Sequence, residues 1–330
     1  MRAVLSTQPG GPETLTIAEI EPPVPSEGQV VVDVAAAGVN YPDVLIIQDL
    51  YQMRPPRPFS PGAELAGVIS EVGAGVEGLE VGQRVLAVPG VGCMAERVAV
   101  PADACIPIPD EMPFDHAASL LMTYGTSHYA LKQRAQASAG ESLFILGASG
   151  GVGLAAVQLG KAMGLTVIAG CSSQDKVDLC MAQGADYGIV YPRQPLDRDA
   201  QKALSTEIKN VSGGGVDVVY DAVGGDYAEP SLRAMNWDGR FLVVGFPAGI
   251  PRLPLNLTLL KSVNVVGVFW GAFVAMQPDA HQQNVSELFE MYRKGAIAPM
   301  VTDSYSLDQA ADAIAALMER KATGKVVVTP

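Results

Sequence analysis

The segment Phe144-Ile145-Leu146-Gly147-Ala148-Ser149-Gly150-Gly151-Val152-Gly153 constrains this chain more than any other. An apolar run, Leu143 to Leu146, ends in a glycine cluster. The cluster leads straight into an apolar-periodic stretch, Val152, Ala155, Ala156, Leu159 and Met163. This pattern predicts a strand, a tight turn and a helix. Backbone N–H groups at such a helix N-terminus, with the positive end of its dipole, make a site for a pyrophosphate. Only glycine lets backbone and phosphate come so close. The spacing departs from G-x-G-x-x-G in one place, with Ala148 in the first position ahead of Gly150 and Gly153. A glycine-rich strand end can also serve packing alone.

Further apolar strands are expected at 166–170, 216–220, 241–245 and 263–269, with helical patterns between them. Alternation of this kind predicts an α/β fold with a doubly wound parallel sheet of the Rossmann type. The first 120 or so residues differ. They are rich in Pro and Gly, with short alternating segments at 15–20, 29–35, 66–72, 84–88 and 96–100, and read as a β-rich, partly barrel-like domain. Beyond residue 270 a helix is expected at about 279–293, another pattern at 307–320 and a final strand at 325–328. This tail fits poorly as an extension of the parallel sheet. The expected division is therefore residues 1–123 with 272–330 as a discontinuous β-rich domain, and 124–271 as the parallel-sheet domain.

The 330 residues carry 22 Lys and Arg against 35 Asp and Glu, a net charge of −13, which argues against nucleic-acid binding through a broad basic face. The longest apolar run, 263–276, is broken by Asn264 and is too short for a bilayer, so no membrane role is expected. The cysteines stand at 93, 105, 171 and 180 with no C-x-x-C pair, and no secretory segment precedes the first strand. They read as free thiols of a cytoplasmic protein.

Several ordered motifs resemble the zinc-free quinone oxidoreductases of the medium-chain dehydrogenase/reductase superfamily. They are Ala36-Ala37-Gly38-Val39-Asn40-Tyr41-Pro42-Asp43, Pro61-Gly62-Ala63-Glu64-Leu65-Ala66-Gly67, Val72-Gly73, Val81-Gly82-Gln83-Arg84-Val85, Gly150-Gly151-Val152-Gly153 and Lys321-Ala322-Thr323-Gly324-Lys325-Val326-Val327. The resemblance covers nearly the whole chain. It implies a GroES-like substrate domain, a Rossmann domain that binds NADPH in a cleft between them, and a homodimer paired through the 263–270 strand, from Val263 to Trp270. It places Asn40, Thr126 and Lys325 near the nicotinamide and its ribose, Tyr191 on the 2′-phosphate, and Tyr51 at the family's substrate-side tyrosine position. At the superfamily's catalytic zinc positions this chain has Asn40, Ala63 and Met122, which offer no thiolate or imidazole. His116, His128 and His281 lie too far apart in sequence for a ligand set, so no metal is expected.

The second strand of the parallel sheet leads into Cys171-Ser172-Ser173-Gln174-Asp175-Lys176. NAD-specific folds end this strand in Asp or Glu, which bonds the ribose 2′-OH. Here Ser172, Ser173 and Lys176 offer hydroxyls and a cation, the donors a 2′-phosphate needs. The competing reading is an N-cap serine and a solvated lysine. With the loop residues Ala148, Gly150, Gly151, Val152 and Gly153, these form the expected NADPH site. Gly245, Phe246, Phe269 and Trp270 follow later strands at their carboxyl ends, where open α/β sheets bind ligands. Phe269 and Trp270 serve equally as packing residues.

The expected reaction is metal-free hydride transfer from NADPH to a small-molecule quinone or related activated alkene. A hydroquinone anion tolerates charge, so water or Tyr51 can deliver the proton. Asn40 and Asp43 are the other polar candidates for the catalytic centre, and Asp43 also reads as an interdomain hydrogen-bonding residue. Two alternatives stand beside this one. An enone or enoyl-thioester reductase would need basic residues for its substrate's tail, and Arg54-Pro55-Pro56-Arg57 is the one basic cluster in view. A non-catalytic, crystallin-like NADPH-binding protein is the other.

Overall fold

The computed structural model describes residues 1–330, which form two compact units, residues 1–122 with 299–330, and residues 123–298. The strands are β1 Arg2–Ser6, β2 Leu15–Glu19, β3 Gln29–Val39, β4 Glu64–Val72, β5 Arg84–Ala87, β6 Arg97–Pro101, β7 Cys105–Pro107, β8 Ser142–Leu146, β9 Thr166–Cys171, β10 Tyr187–Val190, β11 Val216–Asp221, β12 Met235–Val243, β13 Asn264–Gly267, β14 Val301–Ser306 and β15 Lys325–Thr329. The helices are α1 Tyr41–Ile46, α2 Phe114–Ala117, α3 Thr126–Tyr129, α4 Gly151–Ala162, α5 Gln174–Ala182, α6 Arg198–Ser212, α7 Ala228–Arg233, α8 Asn256–Lys261, α9 Trp270–Met276, α10 Pro278–Arg293 and α11 Ala310–Met318.

The first unit is built on a seven-stranded sheet in the order β14-β15-β3-β4-β5-β7, with β6 also on β3. Its pairings are antiparallel except β14 with β15. Val30, Val32, Leu65, Ile69, Val85 and Val326 form its core with the apolar face of α11. The sheet closes around the long strand β3. Residue 38 is glycine because a Cβ there would stand 2.1 Å from the Ala118 carbonyl and 2.6 Å from the Glu64 carboxylate.

The second unit holds a fully parallel six-stranded sheet in the order β10-β9-β8-β11-β12-β13. Counted within the unit this is 3-2-1-4-5-6, the doubly wound Rossmann order, and the order reverses between β8 and β11. The centre of the sheet explains the continuous apolar run seen in the sequence. Leu143, Phe144, Ile145 and Leu146 are all fully buried, as a strand covered by helices on both faces requires. The turn into α4 is equally constrained. A Cβ at Gly153 would meet the Gly147 carbonyl oxygen at 2.2 Å and Ala148 Cα at 2.7 Å.

Two expectations are corrected. The unit boundaries fall at 122/123 and 298/299, so residues 272–298, expected in the first domain, belong to the second unit. Side chains of α10 reach back to residues 128–133. Lys132 Nζ donates to Glu287 at 2.6 Å and Asn284 at 3.1 Å, Gln133 donates to Asn284 at 2.8 Å, and His128 Nε2 lies 3.3 Å from Glu287. Phe273 of α9 stacks on Tyr129 at 4.2 Å. The strand expected at 263–270 is also shorter. It spans Asn264–Gly267, and the Val268 N–H closes it on Val243 O before the chain turns into α9 at Trp270.

Candidate active site

In the second unit, the ends of β8, β9 and β11 bring several of the sequence-derived residues together. α4 starts at Gly151 from an extended Gly150, and no side chain caps it. The first-turn N–H groups of Gly151, Val152 and Gly153 therefore have no intrahelical acceptor and remain as an anion cradle. Ser173 is the N-cap of α5 and its hydroxyl makes no capping bond, while Ser172 beside it is exposed. Cys171, at the end of β9, is hydrogen-bonded by Ser149 of the glycine loop and lies within the field of Lys176. Tyr191 is buried, its ring tilted against that of Tyr227 with centroids 4.6 Å apart, and it is hydrogen-bonded to the backbone of Gly147. The donors, Ser172, Ser173, Lys176 and the first turn of α4, suit a phosphorylated ribose and a pyrophosphate. A carboxylate that would repel the former is missing from the strand end.

The other strand ends complete this edge. Asp221, which closes β11, accepts from the N–H groups of Val223 and Gly224 at 2.9 and 2.8 Å. Burial pushes its carboxyl up to about 6, and those two N–H groups act against the rise. Its carbonyl receives the N–H of Gly245, and Phe246 follows, partly exposed. Phe269 and Trp270, neighbours in sequence, have opposite environments. Phe269 is exposed, whereas the Trp270 indole is buried edge-on to His281 and close against Gly125. Thr126 opens the α3 turn and is half-buried.

In the first unit, Asn40, Asp43, Glu64 and Lys325 form one buried polar cluster. Lys325 Nζ donates to Val39 O at 3.0 Å, Asn40 Oδ1 at 2.8 Å and Glu64 Oε1 at 2.7 Å, which uses all three ammonium protons. Asn40 Nδ2 donates to Glu64 Oε1 at 2.9 Å and Gly38 O at 3.3 Å. The other Glu64 oxygen accepts from Met122 N at 3.1 Å. Asn40 and Met122, two of the three positions compared with zinc ligands, are thus both tied to Glu64. No group of three His, Cys, Asp or Glu side chains is arranged to hold a metal ion. Lys325, expected near the cofactor, directs all three of its ammonium protons into this cluster. Asp43 Oδ2 caps α1 by accepting from Asn40 N at 2.8 Å. Burial pushes Asp43 up to about 7. The Asn40 N–H, the Lys325 ammonium and the Gly62 N–H oppose that rise, and Glu64 adds to it. Tyr51 is half-buried, and its phenol is raised by burial and by the Asp43 charge.

The sequence reading overlooked Glu64 and Asp221 as organising groups. Each carries a readable signal, a carboxylate at the end of an apolar run, before Leu65–Ile69 and after Val218–Tyr220, since an acid buried there must be paired.

Comparison with known proteins fits this geometry. A family model described as the alcohol dehydrogenase GroES-like domain matches residues 26–110, and one described as zinc-binding dehydrogenase matches residues 151–290. Quinone oxidoreductase-like protein 2 of Rattus norvegicus is 35% identical over 99% of this chain and 92% of its own. The solved structure of Escherichia coli quinone oxidoreductase complexed with NADPH superposes with a TM-score of 0.89 at 29% identity, covering 100% of both chains. That of the Thermus thermophilus quinone oxidoreductase, also described with NADPH, gives 0.86 at 32% identity, again over 100% of both chains.

Two predictions follow from the buried cluster. Lys325→Met leaves Glu64 buried without its cation and is expected to cost roughly 3–5 kcal/mol in denaturant unfolding. The double variant Glu64→Gln/Lys325→Met removes both charges and should recover most of that loss. A double variant as unstable as the single one would count against the ion pair as the organising contact.

The second concerns pH. The folded chain holds a proton on Asp43 up to about pH 7, whereas the unfolded chain releases it near the ordinary value of 3.8. Stability therefore falls as pH rises through that window. Asp43→Asn keeps an acceptor for the Asn40 N–H and removes the titration, so its stability should decline less between those limits. Parallel pH–stability curves for the two proteins would refute the assignment.

Proposed function

The chain belongs to the medium-chain dehydrogenase/reductase superfamily as a quinone oxidoreductase-like member, and from that premise we propose that it reduces quinones or related activated alkenes with NADPH, without a metal. The observation that carries the reading is the donor set after β9, where Ser172, Ser173 and Lys176 stand near the uncapped start of α4; no Asp or Glu closes the strand, and Asp175, the adjacent carboxylate, sits in the first turn of α5. NADPH bound there would supply a hydride. The chain's own task is then to hold the pyrophosphate on the first turn of α4, the 2′-phosphate on Ser172, Ser173 and Lys176, and the acceptor in a dry position. Ala148, Tyr191, Gly245 and Phe246 shape the same sheet edge. Thr126 and Asn40 are assigned to the nicotinamide side.

The groups proposed to meet the acceptor belong to the first unit. Asn40 is locked by Glu64 and Lys325, so it offers a fixed amide oxygen and no free donor. Asp43 is committed to the α1 cap and acts through Asn40. Tyr51 keeps its phenolic proton at neutral pH and can pass it to an acceptor, as can water. The chemistry needs no Lewis acid, because a quinone's reduced oxygen bears charge easily. Asn40, Ala63 and Met122 support a metal-free centre.

The partners of Arg57 favour the quinone reading over the enoyl-thioester reading. Arg57, half of the only basic cluster, is already held by Asp49 at 2.7 Å, Ile47 O at 2.9 Å and Ser6 at 3.3 Å. Arg54 alone is left for an anionic tail. The Cys93, Cys105, Cys171 and Cys180 thiols, none in a disulfide, fit the reducing cytoplasm. No helix is long and apolar enough to cross a membrane.

Stopped-flow mixing of the NADPH-loaded protein with 1,4-benzoquinone, an enone or crotonyl thioester tests the reading. Rapid NADPH oxidation by the quinone, unaffected by chelator, is expected. Lys176→Ala should raise the KM for NADPH and leave that for NADH almost unchanged. Tyr51→Phe should slow quinone reduction by less than the hundredfold typical of a general acid. Faster oxidation by the thioester, or none by any acceptor, would replace this reading with one of its alternatives.

A homodimer through β13 is part of the proposal. β13 is the free edge of the parallel sheet, and Val265, Leu259, Leu260, Phe269 and Met276, on or following it and the helix before it, are exposed. An unpaired edge flanked by apolar side chains is a template for pairing with a second copy. Sedimentation should show a dimer that Val265→Lys dissociates. A wild-type monomer at micromolar concentration would exclude it.

A further inference from the structure

Cys171 ends β9 and Cys180 lies on α5, and their sulfurs are 3.6 Å apart with both side chains buried. The other two cysteines are different. Burial pushes Cys93 well up and Cys105 up to about 12, so neither is a nucleophile. The hydrogen bond from Cys180 holds the Cys171 thiol below the usual range. The Ser149 backbone and hydroxyl and the Lys176 ammonium add to this, while burial opposes it. The same sulfur–sulfur bond, together with burial, keeps Cys180 protonated. An acidic thiol thus touches a neutral one, the arrangement of an attacking and a resolving cysteine.

The position of the pair matters as much as its chemistry. Ser149 belongs to the glycine loop before α4. Ser172 and Ser173 follow Cys171 directly in the chain. Lys176 lies four residues before Cys180, on the same face of α5. The dithiol therefore adjoins each of the segments assigned above to the pyrophosphate and the 2′-phosphate.

We propose that Cys171 and Cys180 are a reversible oxidation site, closed to a disulfide by hydroperoxides, that weakens NADPH binding when oxidised. The effect on binding rests on the cofactor reading given above. The Cys171 thiolate attacks one peroxide oxygen, so that an S–O bond forms and the O–O bond breaks, and the departing hydroxide or alkoxide takes up a proton. Cys180 then attacks the sulfenic sulfur, an S–S bond forms, and the hydroxyl leaves with the thiol proton as water. Two electrons pass from the two sulfurs to the peroxide. The S–S separation shrinks to about 2.05 Å. Cys171 is thereby drawn away from Ser149, and the turn bearing Ser172 and Ser173 is pinned to α5. Cys171 is itself buried, and the residue that follows it, Ser172, is exposed.

Binding linkage is reciprocal, so NADPH should slow oxidation as oxidation weakens NADPH. The test treats the full-length protein with hydrogen peroxide and maps its peptides by mass spectrometry, while NADPH affinity is read by fluorescence before and after. The expected result is a Cys171–Cys180 cross-link with the loss of two hydrogens, an NADPH Kd raised roughly tenfold, and recovery with dithiothreitol. Cys180→Ala should bind NADPH like the reduced wild type and lose no affinity in peroxide. Reduced protein that binds no NADPH overturns the cofactor reading and this proposal with it. Reduced protein that binds NADPH but forms no such cross-link, or forms it with unchanged affinity, overturns this proposal alone. So does a Cys180→Ala variant that loses affinity in peroxide as the wild type does.

Discussion

A single buried ammonium organises the first unit. Lys325 opens β15, and its three protons go to the end of β3, to the residue that caps α1 and to the first residue of β4. A buried carboxylate and a buried ammonium are each costly alone and tolerable only together with their remaining hydrogen bonds satisfied. Glu64 meets that condition by accepting also from Asn40 and from Met122. One ion pair thus ties together Asn40, Met122 and the start of β15. The amide of Asn40 is held in one orientation as a by-product, which is the pre-organisation a positioning group needs.

The second unit reaches its chemistry through backbone rather than side chains. Its sheet order reverses between β8 and β11, and the chain leaves both strands on the same edge. Close contact at Gly153 sets the direction of α4, and Asp221 holds the turn after β11 in place through two N–H groups. The donors left over are the helix N-terminus and the hydroxyls after β9, so the site favours an anion by default. In the proposed reading, specificity among anions rests on few side chains, chiefly Ser172, Ser173 and Lys176.

How legible each part was in the sequence follows from how strongly burial constrains it. β8 is covered on both faces, so it reads as an unbroken apolar run, and the glycines after it leave one reasonable geometry. β14 is an edge strand of Val-Thr-Asp-Ser-Tyr-Ser, half exposed, and no apolar alternation marks it. The pattern in α10 shows that one face is buried but cannot say against which unit. The answer depends on Lys132, Gln133 and His128, polar partners far away in the sequence. The 263–270 segment is uniformly apolar, and apolarity alone does not show where a strand ends and a helix begins. The turns after β8 and β9 were readable because glycine and serine have few other reasons to cluster at a strand end. The Lys325–Glu64 pair was not, because its members are 261 residues apart.

That separation bears on how the chain assembles. β3 is made early in synthesis, yet its partner β15 emerges long after it, and Lys325 reaches Val39 across 286 residues of sequence. The whole second unit is one continuous stretch made in the interval, so it can fold as a domain while the first unit waits. Once folded, it shortens the flexible path between β3 and β15 and lowers the entropy of closing that long loop. Until then Glu64 has no cation and the sheet lacks two strands. The first unit is therefore a late-closing structure, and its β3 edge is open to other strands for as long as the C-terminus is missing.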